Sequence, residues 1–326
     1  MLSVIVPTFD RPDSLKRAVE SLFAQTYAAT GFDLIIVDNT PSATASAMIS
    51  TLRKQCPKTI RLIALHEPKA GVANARNAAM AAARSTLVAF LDDDQSAPAD
   101  WLERLLDNYA HYPAAVTFGP VKTALPREQT RHRGYFEAFF ARDPDLESGF
   151  IDVSFGCGNA LIDFAQIPGG APWFDVRMNQ SGGEDDLLFR RVATAGGAFA
   201  WAQDAPVLEH PPQERVRLRY TLQRAFSYGQ APITMAVRRA RKRWDLVALW
   251  MLIGAGKAVW HGLQWILLSL IRHPARPYQL DRAIRGASKL VWWVDLHLYG
   301  AGALAKQTVK ETPARPNASV AAAEQA

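Results

Sequence analysis

The chain has 326 residues, of which 49% are hydrophobic and 21% are charged, so it can bury a substantial core and is not disordered by composition. Its two cysteines, Cys56 and Cys157, exclude a disulfide scaffold or a multi-cysteine zinc cluster and fit a reducing compartment. The net charge is +6, which leaves nucleic acid, anionic lipid and anionic substrates open as partners. Residues 2–7 lack the basic region of a signal peptide, so we expect the catalytic part to stay in the cytoplasm.

The first 120 residues alternate short apolar strands with amphipathic helices. Wholly apolar runs predict strands at 2–6, 34–37, 60–65 and 86–91. Helices are expected at 13–25, from Ser42, at 71–84 and after Pro98. This repetition predicts an α/β fold with an open, doubly wound, mostly parallel sheet.

The pattern loosens after a strand predicted at 116–121. A further strand is expected at 153–162, which carries Gly156, Cys157, Gly158 and Asn159. A helix is expected at 184–195, directly after a pair of glycines.

A basic and Trp-rich helical region follows from Arg215. Residues 246–271 are apolar and long enough to cross a bilayer, but Lys257, His261 and Gln264 interrupt them. Because a charge at the bilayer centre costs roughly 3 kcal/mol, amphipathic helices lying in the membrane interface are favoured over a clean span. A soluble helical packing unit is the third possibility. Basic residues crowd the sequence before this segment, at Arg215, Arg217, Arg219, Arg224, Arg238, Arg239, Arg241, Lys242 and Arg243.

Polar residues collect where the predicted strands end, which is where open α/β sheets bind ligands. The run Asp92-Asp93-Asp94 needs solvent or a cation to relieve its repulsion, and alternate carboxylates can face one hard cation. A solvated loop that caps the next helix is an equal alternative. His210 could complete a metal shell, although a lone histidine is more often structural.

A second acidic run, Glu184-Asp185-Asp186, begins the predicted helix after Gly182-Gly183. It could simply be charge favoured by the helix dipole. Its functional interpretation is a general base that takes a proton from an acceptor hydroxyl. No zinc spacing of Cys and His and no Gly-rich phosphate loop of the Walker or dinucleotide type occurs in the sequence.

In combination, these segments resemble glycosyltransferase family 2, which has the GT-A fold, and in particular its succinoglycan-type exopolysaccharide glucosyltransferases. The resemblance covers roughly the first 210 residues. The matching segments are residues 4–8, 36–39, 71–77, 91–94, 156–160, 182–186 and 228–230.

The resemblance implies a role for each matching residue on the donor side. Asp38 would read the base of the nucleotide, with uracil as the base expected, and Arg76 would hold the diphosphate. Asp92 would face the ribose and the metal, and Asp94 would be the main ligand of Mg²⁺ or Mn²⁺. The donor-binding set is Thr8, Arg11, Asp38, Arg76, Asp92 and Asp93, and the metal set is Asp92, Asp94 and His210.

On the acceptor side, the resemblance makes Asp185 the catalytic base of an inverting, direct displacement. Glu184 or Asp186 would bind the acceptor, and Arg224 would clamp phosphate. The segment around Arg224 departs from the Gln-x-x-Arg-Trp signature of processive synthases, which implies addition of one sugar per encounter.

The predicted organisation is a GT-A catalytic domain at 1–214, with a nucleotide-sugar half at 1–122 and an acceptor half at 123–214. A membrane-association region at 215–311 and a disordered tail at 312–326 follow. The predicted enzyme moves a hexose from a UDP-sugar to a lipid-linked saccharide acceptor, at the cytoplasmic face of the inner membrane, in bacterial cell-surface polysaccharide synthesis. Nucleic acid is not an expected partner, because few aromatic residues interleave with the basic ones.

Two other functions remain as alternatives. A nucleotidyltransferase shares the sheet and the metal, but the Gly-rich basic loop that it needs after the first strand is missing. A non-catalytic membrane-surface binding protein would not need the set Asp92, Asp94 and Asp185.

Overall fold

The computed structural model describes residues 2–27, 31–179, 182–237 and 242–294. The strands in these ranges are β1 (Leu2–Thr8), β2 (Phe32–Asp38), β3 (Ile60–His66), β4 (Leu87–Phe90), β5 (Gln95–Ser96), β6 (Val116–Phe118), β7 (Val121–Thr123), β8 (Gly149–Ile151), β9 (Ala160–Asp163), β10 (Phe199–Trp201) and β11 (Val207–Glu209). The α-helices are α1 (Pro12–Phe23), α2 (Ser46–Gln55), α3 (Val72–Ala82), α4 (Trp101–His111), α5 (Arg133–Phe140), α6 (Glu184–Thr194), α7 (Leu218–Val237), α8 (Trp244–Leu270) and α9 (Arg276–Ala287).

The large sheet has the strand order β3-β2-β1-β4-β9-β6-β10-β8. Its first four strands are parallel, as the repeating strand–helix pattern predicts. Strand β9 is antiparallel to both of its neighbours, and β8 is an antiparallel edge strand. The predicted doubly wound α/β sheet is confirmed. Beyond β4, the strands of this sheet run in both parallel and antiparallel directions. A smaller sheet, ordered β5-β11-β7, lies beside it.

Helices cover both faces of the large sheet, which explains why its central strands are apolar along their whole length. One face packs against α1 and α4, with Leu22 and Trp101 fully buried. The other packs against α3 and α6, with Met80 and Phe189 in the same cluster. These two layers hold the carboxyl ends of β1, β2 and β4 at one edge of the sheet.

Three sequence-based boundaries need correction. The strand predicted at 116–121 is two strands, because the chain leaves the large sheet at Gly119-Pro120 and continues as β7 of the smaller sheet. The strand predicted at 153–162 begins only at Ala160, after Asn159 adopts a left-handed conformation with φ 65°. Helix α2 begins at Ser46 rather than Ser42, since the preceding loop is hydrogen-bonded to the end of β2.

The C-terminal helices α7, α8 and α9 pack on one another. The predicted division of the chain near residue 214 stays a prediction. The predicted disordered tail at 312–326 and the basic residues Arg238, Arg239 and Arg241 lie outside the described residues.

Candidate functional site

The candidate site lies at the carboxyl edge of the parallel strands. Thr8 ends β1 and pairs in register with Asp38, which ends β2. The run Asp92 to Asp94 follows β4, the neighbour of β1 on its other side. Because parallel strands end at the same edge, the sheet places all three segments together.

Asp93 ties the acidic loop to the end of β1. Its carboxylate accepts a hydrogen bond of 2.7 Å from Thr8 Oγ1 and one of 3.0 Å from Arg11 Nη1. It also accepts a longer bond of 3.4 Å from the Phe9 amide. Thr8 and Arg11, two members of the predicted donor-binding set, are therefore joined to the acidic loop. Burial raises the pKa of Asp93, and the Arg11 guanidinium opposes that rise.

Asp94 lies between two arginines from distant parts of the chain. Its Oδ2 is 3.1 Å from Arg11 Nη1 and 3.3 Å from Arg215 Nη1. Arg215 precedes α7, so the C-terminal helical region supplies a side chain directly to the acidic loop. Burial raises the pKa of Asp94, and so does the neighbouring charge of Asp93, whereas Arg215 lowers it.

Asp92 faces outward, with 38% of its side chain exposed, and its Oδ1 is 3.7 Å from Arg76 Nη2. Desolvation raises its pKa, and the charge of Asp94 adds to the rise. A divalent cation bound between Asp92 and Asp94 would relieve both effects. Mg²⁺ is commonly held by one or two carboxylates together with water and substrate phosphates, so the two side chains are of the right chemical kind for such an ion, while Asp94 Oδ2 is already paired with Arg11 and Arg215.

The structure does not bring His210 into that pair as a third ligand. The His210 amide donates to the Asp94 carbonyl at 2.7 Å, but its imidazole Nε2 lies 2.8 Å from Ser96 Oγ. Across the described residues, no group of three or more His, Cys, Asp or Glu side chains is arranged to hold a metal ion. A metal would therefore depend on Asp92, Asp94 and oxygens of the substrate.

Arg76 connects the two acidic motifs. It is buried, with 5% of the residue exposed, and it forms a close ion pair with Glu184. Its Nη1 is also 3.9 Å from Asp185 Oδ2, while Nη2 faces Asp92. Arg76 Cζ also lies over the Phe174 ring, 5.6 Å from its centroid, which is within cation–π distance.

The acidic residues at the start of α6 have three different environments. Glu184 is buried in the ion pair with Arg76, and burial raises its pKa. Asp185 is partly exposed, and its Oδ2 accepts a 3.2 Å bond from the Cys157 amide. Asp186 is exposed. Only Asp185 and Asp186 can thus reach a ligand in this arrangement.

Asp38 is buried at the end of β2 and binds its own loop. Its carboxylate accepts bonds of 2.6 Å from Thr40 Oγ1, 3.1 Å from the Thr40 amide and 2.7 Å from the Ala45 amide. The next residue, Asn39, accepts a 2.7 Å bond from the Gly71 amide and so positions the start of α3, which carries Arg76. Asp38 therefore shapes the predicted base-binding edge.

Gly156 and Gly158 lie at the floor of the site, and we call these two residues the glycine strip. The sequence shows both glycines, but it does not indicate a role for them. A Cβ atom on Gly158 would lie 3.0 Å from Asp92 Cγ and 2.9 Å from Gln95 Nε2. A Cβ atom on Gly156 would lie 3.2 Å from Asp185 Oδ2. The absence of side chains at these two positions allows both acidic motifs to approach the backbone.

Two ionisable residues at the site are not among those predicted from the sequence. Arg142 is partly buried, donates a hydrogen bond to the Gly158 carbonyl, and its guanidinium lies close to the charges of Asp92 and Asp185. Glu209 ends β11, and its pKa is raised to about 8 by burial and by the charges of Asp94 and Asp92. The sequence feature that could have pointed to Glu209 is its position directly before His210, a predicted metal ligand.

Arg224, the predicted phosphate clamp, stacks on Tyr228, 4.7 Å from its ring centre.

Comparison with known proteins identifies this arrangement. The family model described as "Glycosyl transferase family 2" matches residues 3–165. The chain is 30% identical over 258 residues to the succinoglycan biosynthesis protein ExoM of Rhizobium meliloti (strain 1021), and the alignment covers 75% of this chain and 79% of that protein.

Solved structures share the fold at low sequence identity. The mannosyltransferase PcManGT from Pyrobaculum calidifontis, in complex with GDP-Man and Mn²⁺, matches with a TM-score of 0.59 and 17% identity, covering 90% of this chain and 88% of that one. The S. aureus TarS 1-349 complex with UDP-GlcNAc matches with a TM-score of 0.52 and 13% identity, covering 76% of this chain and 69% of that one. The fold is therefore of the GT-A type, and the chain belongs to glycosyltransferase family 2.

Proposed function

We propose that this glycosyltransferase transfers a hexose from a UDP-sugar to a lipid-linked saccharide acceptor, with inversion, in the synthesis of a bacterial cell-surface polysaccharide. The observation that carries the proposal is the position of Arg76, which lies 3.7 Å from Asp92 and 3.9 Å from Asp185. One buried guanidinium thus lies within ion-pair distance of both a donor-side carboxylate and the carboxylate of the proposed base, which supports a donor and an acceptor meeting at this point.

On the donor side, the chain's own cations would hold the diphosphate. Arg76 is fixed by its ion pair with Glu184, so it can meet a phosphate without losing side-chain freedom. Asp92 and Asp94 would hold Mg²⁺ or Mn²⁺, which would stabilise the negative charge of the departing diphosphate. The PcManGT structure with GDP-Man and Mn²⁺ supports a metal in a site of this fold.

Asp185 would act as the base on the acceptor side. Its Oδ2 accepts the Cys157 amide, and its Oδ1 accepts the Asp186 amide at 3.0 Å, so the carboxylate is held in one orientation. An acceptor hydroxyl that approaches over the glycine strip would give its proton to this carboxylate while its oxygen attacks the anomeric carbon. Asp186, exposed beside it, would bind the acceptor sugar.

Helix α8 would bring this site to a membrane that carries the acceptor. It is the one helix among the described residues that is long and apolar enough to cross a bilayer. The similarity to ExoM, a succinoglycan biosynthesis protein, supports a polysaccharide as the product. The cytoplasmic face of the inner membrane is the expected location, since nucleotide sugars are made in the cytoplasm.

Turnover of Asp185→Asn tests the assignment of the base. With radiolabelled UDP-sugars and a lipid extract as acceptor, we expect kcat to fall by a factor of about 10³. Binding of UDP should stay unchanged, because Asp185 does not lie on the donor side. Asp186→Asn is the matched control and should raise the KM for the acceptor instead. Near-normal turnover of Asp185→Asn would exclude Asp185 as the base.

A further inference from the structure

Helix α8 carries an apolar stripe on the side that faces away from the protein. At 100° per residue, its members all fall within about one third of the helix circumference, so they lie on one face of the helix. Each is strongly exposed, up to 77% for Leu270. We call these residues the α8 stripe: Leu249, Leu252, Val259, Trp260, Leu263, Ile266, Leu267 and Leu270.

The opposite face of α8 packs closely against α9. A Cβ atom on Gly254 would lie 2.7 Å from the Gly286 carbonyl, so the two backbones touch at this crossing. Further along, His261 Nδ1 is 2.8 Å from Gln279 Oε1. The two contacts run in opposite directions along the helices, so α9 lies antiparallel beside the middle of α8.

Helix α9 is in turn fixed to the rest of the protein. The Tyr135 hydroxyl, on α5, donates to Asp281 at 3.1 Å, and the Tyr135 and Tyr278 rings meet edge to face at 5.3 Å. On the α7 side, a Cβ atom on Gly229 would lie 2.5 Å from the Arg285 carbonyl. Helix α9 is therefore held between α8 on one side and α5 and α7 on the other.

This packing determines how α8 can meet a bilayer. If α8 crossed the membrane, α9 and the turn that follows it would cross beside it, and they would take the Asp281–Arg285 ion pair and Lys289 into the hydrocarbon, where charge is costly. Lys289 in particular packs at Gly254, near the centre of α8. The α8 stripe, by contrast, is free of charged residues and faces away from α9.

We infer that α8 lies in the plane of an anionic bilayer, with the α8 stripe buried among the acyl chains and α9 between it and the catalytic sheet. The inference deepens the proposed membrane association by assigning the surface and its geometry.

Charge at the borders of the stripe identifies the partner as anionic lipid. Lys242 precedes α8 and Arg272 follows it, and both are exposed; Arg243 is exposed as well, but it is ion-paired with Asp245 at 2.6 Å. Lys257 lies on the flank of the stripe and is also exposed. Basic residues in these positions can reach lipid headgroups while the stripe lies below them. A second copy of this chain would present the same basic borders and repel them.

The depth of the stripe residues in the membrane distinguishes a helix that lies in the plane of the bilayer from a helix that crosses it. Single spin labels are attached to full-length protein through Leu252→Cys, Leu263→Cys or Leu270→Cys in a Cys56→Ser background, in which the remaining Cys157 is buried. The protein is bound to vesicles of phosphatidylcholine and phosphatidylglycerol. A helix in the plane places all three labels at one shallow depth, about 5–10 Å below the headgroups. A spanning helix separates the first from the last by about 27 Å along the bilayer normal.

Binding itself is measured by flotation with the same vesicles. Leu263→Gln/Leu267→Gln should lower the partition coefficient at least about tenfold, because two exposed apolar side chains leave the acyl region. Phe150→Gln/Val153→Gln is the matched control, since these residues are about equally exposed but lie on the catalytic domain. Pure phosphatidylcholine should bind wild type more weakly than the anionic mixture.

Each other outcome overturns the inference in an identifiable way. A depth gradient with Leu263 near the bilayer centre means a spanning helix, and membrane association survives. Failure to float, together with spin–spin broadening between copies in solution, means that a second chain covers the stripe. Neither result affects donor binding or turnover on soluble acceptor analogues, which test the proposed reaction separately.

Discussion

Gly158→Ala tests the geometry of the site without removing any functional group. The added Cβ atom would lie 3.0 Å from Asp92 Cγ, and closer still to Asp92 Oδ2, whereas ordinary contact begins at 3.4 Å. The Asp92 carboxylate therefore has to move by roughly 1 Å to restore van der Waals separation. A misplacement of this size can cost about 100-fold, or about 2.7 kcal/mol of binding or activation free energy.

The assay for Gly158→Ala is calorimetric binding of UDP in the presence of Mn²⁺, together with thermal unfolding. We expect UDP affinity to fall about 100-fold while the free energy of unfolding changes by less than about 1 kcal/mol, because Asp92 is partly exposed and can swing outward. Gly170→Ala is the control, as a Cβ atom there meets nothing within 4 Å. Affinity for UDP within threefold of wild type would refute the placement of Asp92 over the glycine strip.

Two further predictions concern buried charge. Arg76→Met should lower the free energy of unfolding by about 3–5 kcal/mol, because it leaves Glu184 buried without its cation. Thermal unfolding measures this, and adding Glu184→Gln to the same chain should recover much of the loss. Glu209→Gln should flatten the pH dependence of stability in EDTA. In wild type the Glu209 pKa of about 8 exceeds its ordinary 4.5, so stability falls as pH rises through this window, by at most roughly 5 kcal/mol.

A different result would contradict each of the predictions for Arg76→Met and Glu209→Gln. Equal melting temperatures for Arg76→Met and the double variant would mean that Glu184 does not depend on Arg76. Parallel stability profiles of wild type and Glu209→Gln between pH 5 and 9 would mean that Glu209 is ionised in the folded protein. Glu137→Gln serves as the control for the second experiment, because its carboxylate is paired with Arg133 at the surface.

The sequence alone predicts the parts of the site that follow from local pattern. Fully apolar strands require cover on both faces, which gives the parallel half of the sheet and therefore the edge where Thr8 and Asp92 meet. The glycine pair before Glu184 indicates where α6 begins, and Gly183 is in the left-handed region at φ 90°. These features depend on neighbouring residues, so no knowledge of tertiary contacts is needed.

The parts that the sequence does not reveal depend on contacts between distant segments. Glu184 is predicted to bind the acceptor, but Arg76, 108 residues away, pairs with it in the core. Arg215 stands among many arginines, and nothing in its neighbours marks it as the one that reaches Asp94. Arg142 is one of several arginines in an irregular loop, and only the fold places it over the glycine strip. Long-range ion pairs of this kind leave no periodic signal in a sequence.

The most direct test of the account is calorimetric binding of UDP, with and without Mn²⁺, to wild type and to Asp94→Ala. Asp100→Ala, which removes an exposed carboxylate at the start of α4, is the matched control. We predict UDP binding to wild type and to the control that depends on Mn²⁺ and disappears in Asp94→Ala. Absence of binding by UDP, GDP and dTDP to wild type under both conditions would contradict the assignment of the acidic loop as a nucleotide-sugar site.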